Sequence, residues 1–406
     1  MRFDLHLRSV VREQIQHLAE TMKSWEDQPL LKDYERKQTS ERIAFLDHTT
    51  SQSDLYVAGV ASGGDFPSVC YGNSFVYAIV AQASVYEANA VSGLREISPI
   101  PESIFNFAII PDDEDERRKS LDDALSSLAG VSLVEAIEAS DYGQLKAIET
   151  RRPSSVNTVL RDLIRPHPAD AGNISIQLRS TAEFGALLRL IRSTNKLTYV
   201  LVEGTMALPF VGKADASLFY EHLKRLCCVE SRKRGIGFFT ISKAHGLPLI
   251  ELVEEIAREH AGAKTSGAAE HWYLRMPVPK VDRWDTTLTR ARRLPPPGAV
   301  TYLVRFHRTT PTMRLDMDRE YWLENVRGAT EEETRNKERG ILGSLDYLTH
   351  DQRCYGYPYP LRAANERAKL TRAERTALRK QIIDAAVHVG LKRSLFRESA
   401  QLSVGD

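Results

Sequence analysis

The sequence predicts an α+β (α/β) protein with one mixed β-sheet, helical insertions and helical additions at both ends. Three observations lead to this prediction. Three apolar, strand-like segments at residues 55–60, 74–80 and 97–110 follow one another with short links, which is typical of an antiparallel meander. Helix-like and strand-like segments then alternate from about residue 179 to residue 242. Polar segments with helical spacing lie before and after this region.

Length and composition indicate an ordinary globular protein. The chain has 406 residues, of which 42% are hydrophobic and 27% are charged, so it is long enough for one large domain with insertions. The formal net charge of +1 neither requires nor excludes a nucleic-acid partner. Basic side chains exceed acidic ones after residue 351, and either a solvated helix face or a phosphate-binding face would explain that excess.

The N-terminal region and the cysteines indicate where the protein works. Residues 1–52 are predicted to form a helical arm, and their charges leave no apolar run for a signal peptide or a membrane span. We therefore expect no membrane partner. The four cysteines lack CxxC spacing, which favours a reduced, cytoplasmic protein.

An acidic stretch, PDDEDERR at residues 111–118, is predicted to start a helix, because carboxylates are favourable at the positive end of the helix dipole. Clustered carboxylates also resemble a metal site, but a solvated helix start is the favoured interpretation. Helices are predicted at residues 121–139 and 157–164, within an insertion of about residues 111–170.

The order of three meander strands and then alternating helix and strand is that of the ribonuclease H-like fold, in which carboxylates at strand ends bind divalent cations. Glu203 directly follows the apolar strand at residues 197–202, and Glu183 lies on the helix before it. The two could share a cation, although each alone is more often an ordinary surface or capping residue. Asp65 is either a turn residue or a displaced ligand.

Taken together, three stretches resemble the NurA nuclease family. They are VAGVASGGDFP near residue 60, the pair of Glu183 in RSTAEFGALLRLI and Glu203 in LTYVLVEGTMALPF, and GYPYPLRAANERAKL near the C-terminus. The resemblance runs from about residue 55 to residue 370, in the family's order. It implies a ribonuclease H-like, dimeric nuclease that uses Mn²⁺ (or Mg²⁺), degrades DNA from 5′ ends or cuts single strands, and works with a HerA-type hexameric ATPase.

The resemblance also implies the site residues. The family's first-strand Asp falls on Ala61, its helix Glu on Glu183, its second-strand Asp on Glu203, its C-terminal Tyr on Tyr357, and the following His or Asp on Asn365. Ala61, Glu183 and Glu203 would form the metal site. Ala61 supplies no ligand, and losing a central carboxylate of such a site should cost several powers of ten in rate.

Two interpretations of Ala61 remain open at this point. An aspartate was deliberately replaced by alanine to inactivate the nuclease, or the chain is a natural non-catalytic relative in which Glu203 and Asn365 also depart from the pattern. The leading function is thus a metal-dependent deoxyribonuclease in DNA end processing or anti-phage defence. The alternative is a structural subunit that docks on a HerA-like ATPase.

Four basic residues are candidate DNA contacts. Lys243 follows the strand at residues 237–242, near the same sheet edge as Glu203. Arg232, Lys233 and Arg234 end a helix, where capping and phosphate binding are equally plausible roles.

Other motifs that would signal chemistry are missing from the sequence. The histidines, such as His271 and His307, lack zinc-site spacing, and the chain has no P-loop, so ATP hydrolysis would belong to a partner. The predicted domain scheme is a nuclease domain at residues 53–370 between the arm and a basic helical tail at residues 371–406.

Overall fold

The computed structural model describes residues 9–26, 33–64, 67–142, 145, 171–194, 196–206, 219–243, 250–262, 271–276 and 298–397. The predicted helix at residues 157–164 and the turn residue Asp65 lie outside this part of the chain.

A single sheet of twelve strands runs through the described structure. Its strands are β1 (Ile43–Phe45), β2 (Leu55–Gly64), β3 (Val69–Tyr71), β4 (Ser74–Asn89), β5 (Gly93–Glu96), β6 (Ile104–Ile110), β7 (Tyr199–Glu203), β8 (Gly237–Ser242), β9 (Trp272–Arg275), β10 (Ala299–Arg305), β11 (Met313–Asp318) and β12 (Phe396–Arg397).

The sheet order confirms the predicted fold class. The antiparallel meander β6–β4–β2 is continued by β7, which is parallel to β2, and by β8, which is parallel to β7. Without the short strands β1, β3 and β5, the order along the sheet is third, second, first, fourth and fifth strand of the chain, which is the arrangement of ribonuclease H-like sheets. Beyond β8 the sheet is extended by antiparallel β11, β10, β9 and β1. The carboxyl ends of β2 and β7 therefore lie side by side.

Helices cover both faces of this sheet. They are α1 (Ser9–Glu26), α2 (Asp33–Arg42), α3 (Glu114–Ala129), α4 (Leu133–Ala139), α5 (Ala171–Ser193), α6 (Phe219–Lys233), α7 (Ile250–Gly262), α8 (Glu331–Leu348), α9 (Tyr359–Ala368) and α10 (Arg372–His388). One face packs on α3, α5 and α6, and the other packs on α8 and α9. No helix in the described ranges is long and apolar enough to span a bilayer.

Some predicted element boundaries were wrong. The third strand begins at Ile104 rather than at residue 97, because Pro99 and Pro101 interrupt the preceding segment and cannot donate ladder hydrogen bonds. The helix predicted at residues 121–139 is two helices. Gly130, with φ of 72°, ends α3, and the Ser132 side chain caps α4.

The predicted start of the acidic helix is confirmed by its cap. Asp113 accepts hydrogen bonds from the backbone N–H groups of Asp115 and Glu116 at the first turn of α3. The acidic stretch therefore has a helix-capping role, which the solvated-helix interpretation anticipated.

Both terminal additions contribute to the sheet. Within the predicted arm, β1 pairs with β9, and within the predicted tail, β12 pairs with β3. The apolar side chains Val10, Ile15 and Leu18 of α1 are about 60% exposed, so this part of α1 does not close the core. The domain boundaries themselves stay a prediction.

A buried histidine gives the fold a predicted pH dependence. His222 on α6 is fully buried against Tyr142, and burial lowers the pKa of its imidazole from 6.5 to about 4. Between these values the unfolded chain binds a proton that the folded chain does not. We therefore expect the free energy of unfolding to decrease as pH falls from about 6.5 to about 4.

Urea unfolding of the wild type and His222→Phe at pH 7.5, 6 and 5 would test this. The variant should lose less stability on acidification, whereas an exposed control, His388→Phe, should follow the wild type. Parallel curves for the wild type and His222→Phe would contradict the prediction.

Candidate active site

Glu203 marks the centre of the candidate site. It is the last residue of β7, whose preceding four residues are buried, and its side chain is exposed at the carboxyl edge of the sheet. Gly204 follows with φ of 126°, a backbone conformation that favours glycine and lets the chain turn away. The Nδ2 atom of Asn365 on α9 donates a hydrogen bond of 3.0 Å to Glu203 Oε2, so strand and helix jointly orient this carboxylate.

The second carboxylate, Glu183, reaches the same edge from the opposite face. It is half-buried on α5, and the Ser62 hydroxyl of β2 donates a 2.8 Å hydrogen bond to its Oε2 atom. Ser62 is followed by Gly63 just as Glu203 is followed by Gly204. This matching pattern of a polar residue before glycine could have identified Ser62 from the sequence.

Ala61 lies on β2 at the position next to Glu203, and α9 covers its side chain. Residues of a strand alternate between the two faces, and Ala61 points to the face covered by α9, where it is 2% exposed against Ala364 and Ala368. Ser62 points to the other face and contacts Glu183. Ala61 shares the α9 face with Glu203, because Val60 and Val202 are register partners in the parallel ladder. The assignment of Ala61 to the metal site stays a prediction, and Ser62 is the residue of β2 that contacts a carboxylate.

The small residue at position 61 has a packing reason. A Cβ atom on Gly59 would lie 2.4 Å from the backbone of Pro360, and one on Gly63 would lie 2.0 Å from the Ala368 carbonyl oxygen. The face of β2 that carries Gly59, Ala61 and Gly63 thus lets the backbone of α9 approach closely. Ala61 follows from this close packing.

Tyr357 and Lys243 complete the arrangement. Tyr357 immediately precedes the first turn of α9 and is 5% exposed, and its hydroxyl has no hydrogen-bond partner among the described residues. The Lys243 ammonium group follows β8 and lies 3.8 Å from the centroid of the Tyr357 ring, in a cation–π contact. An unpaired buried hydroxyl is costly, so this group is suited to a ligand that completes its hydrogen bonding.

Burial and neighbouring charges raise the pKa values of Glu183 and Tyr357. Burial raises the pKa of Glu183 to about 7, the charge of Glu203 adds to this increase, and the Ser62 hydrogen bond opposes it. Burial, followed by the charges of Glu203 and Glu183, also raises the pKa of Tyr357. The tyrosine hydroxyl therefore stays protonated and can donate. A cation between the carboxylates would relieve their repulsion.

Ser62, Glu203, Tyr357 and Asn365 border a cavity of about 450 Å³. Five basic side chains contribute to its wall, which are Arg179, Lys243, Arg362, Lys369 and Arg375. Only Lys243 was anticipated from the sequence. The other four come from α5, α9, the α9–α10 link and α10, which are brought together only by the tertiary fold.

Arg232, Lys233 and Arg234 lie elsewhere. They end α6 just before β8 begins, at the amino edge of the parallel strands, opposite to Glu203. Arg232 pairs with Asp318 and Asp141, and the other two pair with Glu230. This arrangement favours ion pairing at a helix end, and their contact with DNA stays a prediction.

The residues fit a hard divalent cation. Two carboxylates, a hydroxyl, an amide and a phenol provide mainly oxygen donors, which Mn²⁺ and Mg²⁺ prefer. Burial, and after it the charge of Glu203, raises the pKa of Glu183, and a bound cation would favour the ionised carboxylate. Glu183 and Glu203 are the carboxylates that would hold the ion, with Ser62 in place of a strand carboxylate.

Comparison with known proteins finds similarity to solved structures alone. No protein-family model matches the chain, and no curated protein matches its sequence. The chain is similar to the solved NurA nuclease of Sulfolobus solfataricus, with 13% identity over 97% of this chain and 99% of that chain and a TM-score of 0.47. It is also similar to NurA bound to dAMP and manganese, with 12% identity over 96% and 99% of the chains and a TM-score of 0.37.

Proposed function

We propose that the protein is a divalent-metal-dependent DNA nuclease of the NurA type. One observation carries the proposal. Glu183 and Glu203, each oriented by a hydrogen bond from a neighbouring element, meet Tyr357 at the carboxyl edge of a ribonuclease H-like sheet, beside a cavity with five basic side chains. Carboxylates for a cation and basic groups for phosphates are the two requirements of phosphodiester hydrolysis.

Mn²⁺ or Mg²⁺ is the proposed cofactor, held by Glu183 and Glu203. Such an ion supplies Lewis-acid stabilisation of the phosphate and a water of lowered pKa. Ser62 keeps the Glu183 carboxylate directed at the site, and Asn365 does the same for Glu203. The latter hydrogen bond keeps Glu203 in one orientation although its side chain is exposed to water.

The basic wall would bind the DNA backbone. Lys243, after β8, and Arg179, on α5, both line the cavity, so a DNA strand entering it would have its phosphates neutralised by both side chains. The protonated Tyr357 hydroxyl would donate to a phosphate oxygen near the carboxylates. This positioning accounts for the unpaired buried hydroxyl.

A second candidate is a non-catalytic subunit. Within residues 55–64, β2 contributes a hydroxyl rather than a carboxylate to the cavity. With two carboxylates in place of three, the cation would be bound more weakly.

Degradation of linear DNA labelled at the 5′ or the 3′ end, with Mn²⁺, Mg²⁺ or EDTA, tests these candidates. We expect metal-dependent products that disappear in Glu183→Gln and persist in the surface control Glu138→Gln. The label that is lost first gives the polarity, which we propose is from 5′ ends. Metal-independent cleavage, or equal activity in Glu183→Gln, would reject the nuclease proposal.

We propose that a HerA-type hexameric ATPase is the partner, in DNA end processing or anti-phage defence, in the cytoplasm. The exposed apolar side chains of α1 support a docking role for this helix, and four free cysteines favour a reducing compartment. Residues 305–317 offer no comparable surface, since they contribute β11 to the middle of the sheet and are mostly buried. Co-elution with the ATPase should be lost when Ile15 and Leu18 are replaced by Glu.

Homodimer formation is predicted to use β6. Its outward side chains Phe105, Phe107 and Ile109 are 48%, 42% and 60% exposed, and they form an apolar stripe that a second copy would cover. Light scattering at micromolar concentration should give twice the 45.8 kDa chain mass. Phe107→Lys should shift the protein to monomer, whereas Val91→Lys, in an exposed turn, should not. A monomeric wild type would contradict this prediction.

A further inference from the structure

A cluster of four potential metal ligands lies outside the candidate active site. His48 lies between β1 and β2, His271 directly precedes β9, Asp346 is in the last turn of α8, and His350 follows that helix. One ligand atom from each side chain lies within 4.8 Å of the others. The ligands come from three distant parts of the chain, so no local zinc-site spacing in the sequence could reveal them.

The cluster is arranged around one buried carboxylate. The Asp346 side chain is fully buried, and its two oxygens lie 2.9 Å from His271 Nδ1 and 3.0 Å from His48 Nδ1. The Nδ1 atom of His350 lies 3.6 Å from the same carboxylate. The backbone N–H group of Thr49 also donates to it, at 3.0 Å, and so fixes its orientation. His350 Nδ1 is hydrogen-bonded to the backbone carbonyl oxygen of Asp346, at 2.8 Å, so three imidazoles surround this one residue.

The imidazole rings also pack against one another. The ring centroids of His48 and His350 are 3.8 Å apart, and that of His271 lies 5.5 Å and 5.2 Å from them. Three imidazoles this close cannot all carry a proton charge without repulsion. A dication bound by neutral imidazoles would instead balance the buried negative charge of Asp346.

We propose that His48, His271, Asp346 and His350 bind one zinc-class transition-metal ion. Three imidazole nitrogens and one carboxylate oxygen make a four-ligand set that zinc accepts in tetrahedral geometry. Mg²⁺ and Mn²⁺ prefer oxygen ligands, so this site differs in chemistry from the pair of Glu183 and Glu203. A bordering cavity of about 340 Å³, lined by His48 and His350 among others, gives the ion an entry path.

The proposed ion has a structural role. Four protein ligands leave no open position for a substrate, as in structural zinc sites. The ion would join the segment before β2, the sheet next to β9, and the end of α8. The chain after His350 continues to Tyr357, and the Gly356 N–H donates to the Thr349 carbonyl at 2.7 Å. The site would therefore hold the segment that positions this tyrosine.

Metal binding to the full-length chain tests the proposal without any activity assay. The protein is stripped with a chelator and titrated with ZnCl₂ or MgCl₂, and binding is followed by calorimetry and by the thermal unfolding midpoint. We expect one tightly bound zinc per chain and an increase in midpoint with zinc only. With CoCl₂, the visible absorption of a four-coordinate nitrogen and oxygen site should appear.

The decisive variant is His48→Ala. The side chain of His48 is 41% exposed, so its removal should leave the fold intact, as circular dichroism can verify. We expect zinc affinity to fall by at least about tenfold, a loss that even a supporting residue of a metal site produces. Asp346→Asn, of nearly the same shape, should weaken binding as well. The control His307→Ala removes a nearby imidazole, 6.0 Å from the His350 ring, that is outside the cluster.

Two results would overturn the proposal. If the stripped wild type binds no zinc, the four residues form only a hydrogen-bonded network around Asp346. If His48→Ala and His307→Ala bind zinc as tightly as the wild type, the ion is bound elsewhere.

Discussion

Replacing Glu203 with glutamine is expected to lower the rate of Mn²⁺-dependent DNA cleavage by at least about a hundredfold, because the change removes one of the two charges that would hold the ion. Glutamine has the same shape, and its carbonyl oxygen can still accept the hydrogen bond from Asn365. The side chain is exposed at the end of β7, so the fold should be unchanged.

Single-turnover cleavage of end-labelled DNA, at several Mn²⁺ concentrations, measures this effect. Part of the loss should be recovered at high Mn²⁺ if weaker ion binding is the cause. The surface control Glu138→Gln keeps the wild-type rate. A Glu203→Gln variant with full activity would show that the proposed site does not carry the chemistry.

The second large expected effect is a difference between substitutions on the two faces of β2. Ala61→Asp is expected to destabilise the fold by about 3–5 kcal/mol, because it places an unpaired carboxylate in a buried contact with Ala364 and Ala368. Ser62→Asp instead places a carboxylate beside Glu183 at the cavity. We expect this variant to raise Mn²⁺-dependent cleavage, by about tenfold or more, and to be stabilised by Mn²⁺.

Urea unfolding and cleavage assays on both variants, with Ser62→Ala as the control, test this contrast. The opposite outcome, a stable and more active Ala61→Asp variant, would show that residue 61 is the position of β2 that belongs to the metal site. It would also favour the interpretation that an aspartate was lost there.

The sequence was sufficient for the order of the strands, because apolar segments bounded by glycine and proline have a strong local signal. It also placed Glu203 at a strand end, where its neighbour Gly204 turns the chain. The proximity of Glu183, Tyr357 and Asn365 was anticipated from the resemblance. Their roles stay a prediction.

Errors arose where the answer depended on tertiary contacts. Ser62 was not singled out, because its hydrogen bond to Glu183 depends on how α5 packs on β2. The ion pair of Arg232 with Asp318 was not foreseen, because the two residues are distant in the chain. The ligands around Asp346 come from segments up to 298 residues apart, which no local pattern records.

The close packing of α9 on β2 also determines which positions of this strand can change in evolution. Side chains at positions 59, 61 and 63 are limited by the backbone of α9, so almost any larger residue there would displace the helix that carries Asn365. Position 62 has no such limit, because it faces a cavity. Catalytic strength in such a protein can therefore be gained or lost through a single position, while the adjacent residues keep the helix in place.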